Sequence, residues 1–178
     1  DGIGFHPSAQ VAGGGKVSDI PGNMAPAWDF IRKLKAQQPL LGEDPDFTNW
    51  FQQGEIDVAC TIISNAREAK QNGIPVAWTV PQEGAKVDTD ALWIPKGLPE
   101  NEAYWAKQYV NHAISKGAQQ AWTEKLGLPG LTPPADLAGD PAYPTTDEDF
   151  ARLISVPTPV LVEHEREWFQ TFKEIMQG

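Results

Sequence analysis

Asp88 and Asp90 are the pair of side chains in this sequence best spaced to do chemistry. On an extended segment successive side chains alternate in direction, so residues two apart project from one face. Two carboxylates converging on a cavity attract a cation and raise each other's proton affinity. The same pair could serve acid–base hydrolysis. Retaining glycosidases, however, place their two carboxyls about 5–5.5 Å apart, flanking the scissile bond. Neighbours on one strand face would both approach from one side. That geometry is wrong for hydrolysis, so the main rival to cation binding is that these are solvated hinge residues, with a carboxylate-pair hydrolase behind both.

Neutral donors form another set. Ser8, Gln10 and the backbone N–H groups of Gly13–Gly15 could hold a carboxylate or hydroxyl. Ser64 and Asn65 close the apolar run Ile56–Ile63 and suit either helix capping or a ligand hydrogen bond. The remaining chemical signatures fail. His164-Glu165-Arg166-Glu167-Trp168 opens like a zinc-protease helix but has Trp where the second His is required. Gly13-Gly14-Gly15-Lys16 lacks the spacing and the trailing Ser or Thr of a phosphate-binding loop, and no Gly-x-Ser-x-Gly elbow occurs. His6, His112 and His164 are scattered, so neither a metal nor another cofactor is expected. Cys60, the single cysteine, sits in an apolar run and is expected to be a buried structural thiol. One cysteine allows no intrachain disulfide and does not define a redox compartment.

Composition narrows the partners. The net charge of the 178 residues is −10, which excludes a nucleic-acid partner, because phosphates demand clustered Lys and Arg. It also disfavours an anionic membrane surface. No apolar run approaches the roughly 20 residues of a membrane-spanning helix. The chain opens at Asp1 without a signal-peptide pattern, so an earlier segment is expected to have been removed. With 40% hydrophobic residues, including seven Trp and seven Phe, a sizeable core is available.

Helical spacing is expected over Ala25–Gln37, with Trp28, Ile31 and Leu34 on one face, and over Asp46–Gln53, capped by Asp44 or Asp46. Asn65–Asn72 reads as a helix that Ser64 caps. Pro99–Gly127 is the strongest helical stretch, divided at Gly117, and Asp147–Leu153 and Pro159–Met176 follow. Trp28, Trp50, Trp105, Trp122 and Trp168 fall at helical positions that usually mean core, and Trp78 and Trp93 are expected to pack beside strands. Strands are expected at Gly2–Phe5, Ile56–Ile63, Val76–Val80 and Asp90–Ile94, with a polar loop from His6 through Gly15. Strand, helix and strand joined by short links describe a βαβ unit of a parallel sheet. Leu128–Pro144, rich in Pro, Gly and Asp, should be an irregular surface crossing.

Four segments in this order resemble the type II periplasmic solute-binding receptors of ABC importers, especially the polyamine receptors. They are Phe51–Ala59 with its Gln53-Gly54-Glu55 turn, Ala66–Pro75 ending in Asn72-Gly73-Ile74-Pro75, Pro81–Gly97, and Gly127–Pro133. The resemblance runs from about residue 1 to the end. It implies an α/β fold with a mixed, largely parallel sheet flanked by helices. It also implies a non-enzymatic role in the periplasm, capturing a small amine-containing solute between two lobes and delivering it to an inner-membrane permease. Residues 1–86 and 136–178 would form the second lobe, and 87–135 the hinge crossing and a first-lobe segment, most of the N-terminal lobe being absent. Such a segment would expose apolar surface, so the missing lobe polypeptide or self-association is expected to cover it.

Asp90 matches the position where polyamine receptors hold a ligand ammonium. Those receptors place an aromatic residue two positions earlier, where this chain has Asp88, and a Trp where it has Ile62. Without that aromatic clamp, a smaller ligand carrying an amine at one end and a carboxylate at the other fits better. The expected ligand set is Asp90, Asp88, Ser8, Gln10, Ser64 and Asn65. A stand-alone α/β interaction module is the other alternative; it predicts neither closure nor turnover.

Overall fold

A computed structural model describes residues 5–87, 91–127, 130, 139–140 and 142–178. Its helices are α1 (Phe5–Ala12), α2 (Ala25–Lys35), α3 (Asp44–Gln53), α4 (Ile63–Gln71), α5 (Glu100–Ala113), α6 (Lys116–Leu126), α7 (Asp147–Ala151) and α8 (Thr158–Gln177). Two short strands, β1 (Ala85–Lys86) and β2 (Leu153–Ile154), pair in parallel with Ala85 opposite Leu153. The described residues are thus mostly helical, with a minimal parallel sheet in place of the expected larger one. Contacts group the chain into two units, one of Asp1–Glu43, Val80–Asp88 and Phe150–Gly178, the other of Asp44–Thr79 and Thr89–Asp149.

In the first unit a cluster of Ala9, Met24, Ala27, Ile31 and Trp168 is buried, with Phe5, Trp28, Phe172 and Ile175 packed around it. The polar loop expected from His6 to Gln10 is helix α1. His6, Ala9 and Gln10, spaced as i, i+3 and i+4, are all buried, and burial of that face outweighs the loop-like composition. Pro7 falls in the first turn, where its missing N–H costs nothing. The expected Gly2–Phe5 strand lies outside the described residues except for Phe5, which opens α1.

The glycine triplet is explained by packing. A Cβ on Gly13 would collide with the Pro26 carbonyl, and one on Gly15 would press on the Gln10 amide. Their N–H groups, with that of Gly14, donate to the carbonyls of Ala9, Gln10 and Val11. The triplet therefore closes α1 and lets α2 approach, and its N–H groups are not free to hold a ligand. In the same unit Gly84, with a φ of 104°, lies so close to the Arg152 carbonyl that no side chain fits. Arg152 in turn donates to the Pro81 carbonyl at 3.2 Å.

The second unit holds α3 to α6 and the first turn of α7. Ser115 accepts from Ala118 N–H at 3.4 Å and caps α6, so the long helical stretch divides at Ile114–Ser115, with Gly117 already inside α6. The expected strands Ile56–Ile63 and Val76–Val80 do not form. An extended segment becomes a strand only when a neighbouring strand takes up its N–H and C=O groups, and among the described residues the only strand pairing is that of β1 with β2. Val58 is 86% exposed and Cys60 is exposed, correcting the expectation of a buried thiol. A tight turn from Ile74 C=O to Val76 N–H at 2.8 Å bends the second segment at its start. The third expected strand, Asp90–Ile94, begins outside the described residues, and Ala91–Ile94 are not in a strand.

The aromatic expectations divide in the same way. Trp168 is 2% exposed, as its helical spacing predicts. Trp105 on α5 is 69% exposed, Trp93 is 81% exposed and Trp122 is exposed as well, against the expectation of core. Tyr104 packs edge-on against Trp105 at 5.2 Å between centroids, and both remain at the surface with Tyr109.

Candidate functional site

Of the six expected ligand residues, the four that are described fall in two places. Asp88 and Asp90 lie outside the described residues. The stretch leading to them is anchored: Val87 N–H donates to the Ile154 carbonyl at 3.0 Å, extending the β1–β2 pairing to the residue before Asp88.

Ser8 and Gln10 sit on α1 in the first unit. A helix turns by about 100° per residue, so two residues apart they face different ways, where a strand would have aligned them. Ser8 is half-buried and Gln10 is fully buried. The Gln10 side-chain Nε2 donates to the Asn23 carbonyl at 2.9 Å, and its Oε1 accepts from Ala27 N–H at 3.2 Å. One amide thereby joins α1 to the start of α2. This work as a clasp was invisible in the sequence, because both partners are backbone groups more than a dozen residues away.

Ser64 and Asn65 are half-buried in the first turn of α4 in the second unit. The helix begins at Ile63 with Ile62 as its N-terminal cap residue, and no side chain caps it, so the capping role expected of Ser64 is not seen. Asn65 Nδ2 donates to Thr61 Oγ1 at 2.7 Å, steadying the chain just before the helix.

One turn further along α4 is a group that sequence reading missed. Arg67, Lys70 and Gln71, spaced as i, i+3 and i+4, line a cleft of about 340 Å³ together with Trp78. Arg67 Nη1 donates to Tyr143 Oη at 2.6 Å, and Tyr143 Oη donates to the Gly127 carbonyl at 2.7 Å. Tyr143 is buried, so this chain of hydrogen bonds fixes the middle of α4 to the end of α6. Lys70 Nζ lies 5.0 Å from the Trp78 ring centroid, within cation–π range. The Trp78 Nε1–H donates to the Asp140 carboxylate at 2.9 and 3.2 Å, setting the plane of the ring. The helical spacing of the two cations was legible; their convergence with residues 78 and 143 was not.

Two of the three histidines sit among aromatic side chains. His164 stacks on Trp168 with an interplanar angle of 12°. His6 is enclosed by Trp28, Trp168 and Phe172 at 5.3, 5.8 and 6.0 Å between centroids. Among the described residues no three His, Cys, Asp or Glu side chains are gathered as a metal site would require. Nor, among them, is any helix long and apolar enough to cross a membrane.

No curated protein and no solved structure gives a significant match to the chain. A family model does: that of the bacterial extracellular solute-binding proteins matches residues 1–151. The match takes in α1 to α7, with the expected ligand residues and the α4 cleft, and ends before β2 and α8. Membership carries a small-molecule binding role in ABC-type transport, exercised outside the cytoplasm. On that evidence the chain belongs to the bacterial extracellular solute-binding proteins.

Proposed function

We propose that the chain is the C-terminal portion of a periplasmic receptor that hands a small amine-containing solute, polyamine-like or amino-acid-like, to an inner-membrane ABC permease. The observation that carries this reading is family membership over residues 1–151, which include the acidic pair Asp88 and Asp90. A carboxylate facing a ligand ammonium makes a charge-assisted hydrogen bond, roughly twice as strong as a neutral one. Binding then works by closure: the ligand favours the closed receptor to the extent that it contacts both lobes better than the open form does. Ser8, Gln10, Ser64 and Asn65 remain in the proposed ligand set as neutral donors. Gln10 is its weakest member, since both ends of its amide already serve the backbone. The part is a non-enzymatic one, capture and delivery. The exposed aromatic side of α5 fits a surface covered by the rest of the receptor or by another copy.

Isothermal titration of the full-length receptor with putrescine, spermidine and γ-aminobutyrate tests the proposal. Saturable binding of one of them, abolished by Asp90→Asn, is the expected result. If none of the three binds, the amine reading is wrong. A thermal shift gives the same answer independently, since ligand at 100 times its Kd adds about 2.7 kcal/mol of stability.

A further inference from the structure

We propose that the second unit carries a separate site for a small organic carboxylate, in the cleft that Arg67, Lys70, Gln71 and Trp78 line. The chain has 14 basic against 24 acidic residues, so a surface cation would ordinarily find a carboxylate. Among the described residues neither Arg67 nor Lys70 forms an ion pair. Both are held instead by neutral aromatic groups, Arg67 by the Tyr143 hydroxyl and ring face and Lys70 by the Trp78 ring. These contacts position the cations without neutralising them. Asp140, which touches the lining through the Trp78 Nε1–H, also accepts Ala142 N–H at 2.9 Å, and among the described residues it forms no ion pair with Arg67 or Lys70.

This open surface depression of about 340 Å³ thus offers two positive charges, the Gln71 amide and a flat indole wall. Charge selects an anion. Arg67 spends one N–H on Tyr143 and has others with which to meet a carboxylate. The indole selects a ligand with an apolar body over a bare inorganic ion. Such a ligand is opposite in sign to the amine proposed for the Asp88–Asp90 region, so one site can fail while the other stands.

The 178-residue chain is titrated with sodium benzoate at low ionic strength, following heat and the Trp78 indole N–H signal by NMR. Saturable binding that shifts this signal is expected, with inorganic phosphate binding at least tenfold more weakly. Lys70 is exposed, so Lys70→Gln should fold normally. It should weaken benzoate about tenfold, the size of one charge-assisted contact, while Lys70→Arg retains binding and Lys107→Gln on α5 leaves it unchanged. Three results would overturn the proposal: no saturable benzoate signal, equal affinity in Lys70→Gln and the parent, or phosphate binding as tightly as benzoate. Putrescine titrated into the full-length receptor and its Lys70→Gln variant reports on the amine site separately, and its response should be the same in both.

Discussion

The two units of this chain are held together by different means. The first closes around apolar side chains, with Trp168 of α8 set against Ala27 and Ile31 of α2 and Ala9 of α1. Its one conspicuous polar device, the Gln10 clasp, is fully buried and joins two helices. The second unit buries few large apolar side chains among its described residues. Its centre is Tyr143, joined to Arg67 and to the Gly127 carbonyl, while Trp93, Trp105 and Tyr109 face outward. Apolar packing gives stability in proportion to area, whereas a polar hub mainly fixes position, because each hydrogen bond made replaces one to water. The first unit is built to be stable and the second to hold groups in place.

Truncating Trp168 is the most severe way to test that contrast. Trp168→Ala empties the middle of the α1–α2–α8 core and should cost about 3–5 kcal/mol in urea unfolding. A loss no greater than that of a surface substitution would mean that the first unit is not organised around this residue.

Gln10→Ala should come next, at about 1–3 kcal/mol, because Ala27 N–H and the Asn23 carbonyl would lose their buried partner. The substitution separates two roles for the residue. If stability falls while solute affinity per folded molecule is unchanged, Gln10 is a clasp and not a ligand group. Tyr143→Phe removes only a hydroxyl and should cost about 1–2 kcal/mol, since Arg67 is half-buried and can turn to water. Heteronuclear NMR should show α4 and the end of α6 loosened by that change while α1, α2 and α8 keep their signals.

Trp105→Ala should change stability by no more than about 0.5 kcal/mol, as expected for an exposed side chain. Its effect should appear in sedimentation instead: if the α5 aromatic side associates with another copy, the variant shifts toward monomer. A large stability loss would erase the difference between the units.

The sequence spoke clearly where periodicity and punctuation agreed. α2, α5 with α6, and α8 are each long enough for their apolar spacing to repeat, and Gly127 marks the end of α6 as expected, although the α5–α6 break falls at Ser115 and not at Gly117. The same logic misread Ile56–Ile63. A β-branched run reports a preference for extended backbone, and whether that becomes a strand depends on a partner elsewhere. The sheet that does form uses Ala85-Lys86 and Leu153-Ile154, two residues each and far too short to show alternation. α1 was hidden by His6-Pro7 and the glycine triplet, which look like loop until α2 is seen to need the space. Of the expected site, the acidic pair is a reading of spacing and resemblance. The α4 cleft needed coordinates, because Arg67 meets Tyr143 across 76 positions of chain.

The placement of α8 has a consequence for the order of events during synthesis. The face that α1 and α2 present to Trp168 is complete once residue 35 has been made, but α8 begins at residue 158. At ordinary rates of translation, about 5–20 residues per second, the early helices wait on the order of ten seconds for their cover. Throughout that interval the whole second unit is being made while an apolar surface of the first stands open. Docking of α8 is therefore the step that closes the first unit, and a chain released before residue 158 would keep the family's matched residues but leave the Ala9, Ala27 and Ile31 face uncovered.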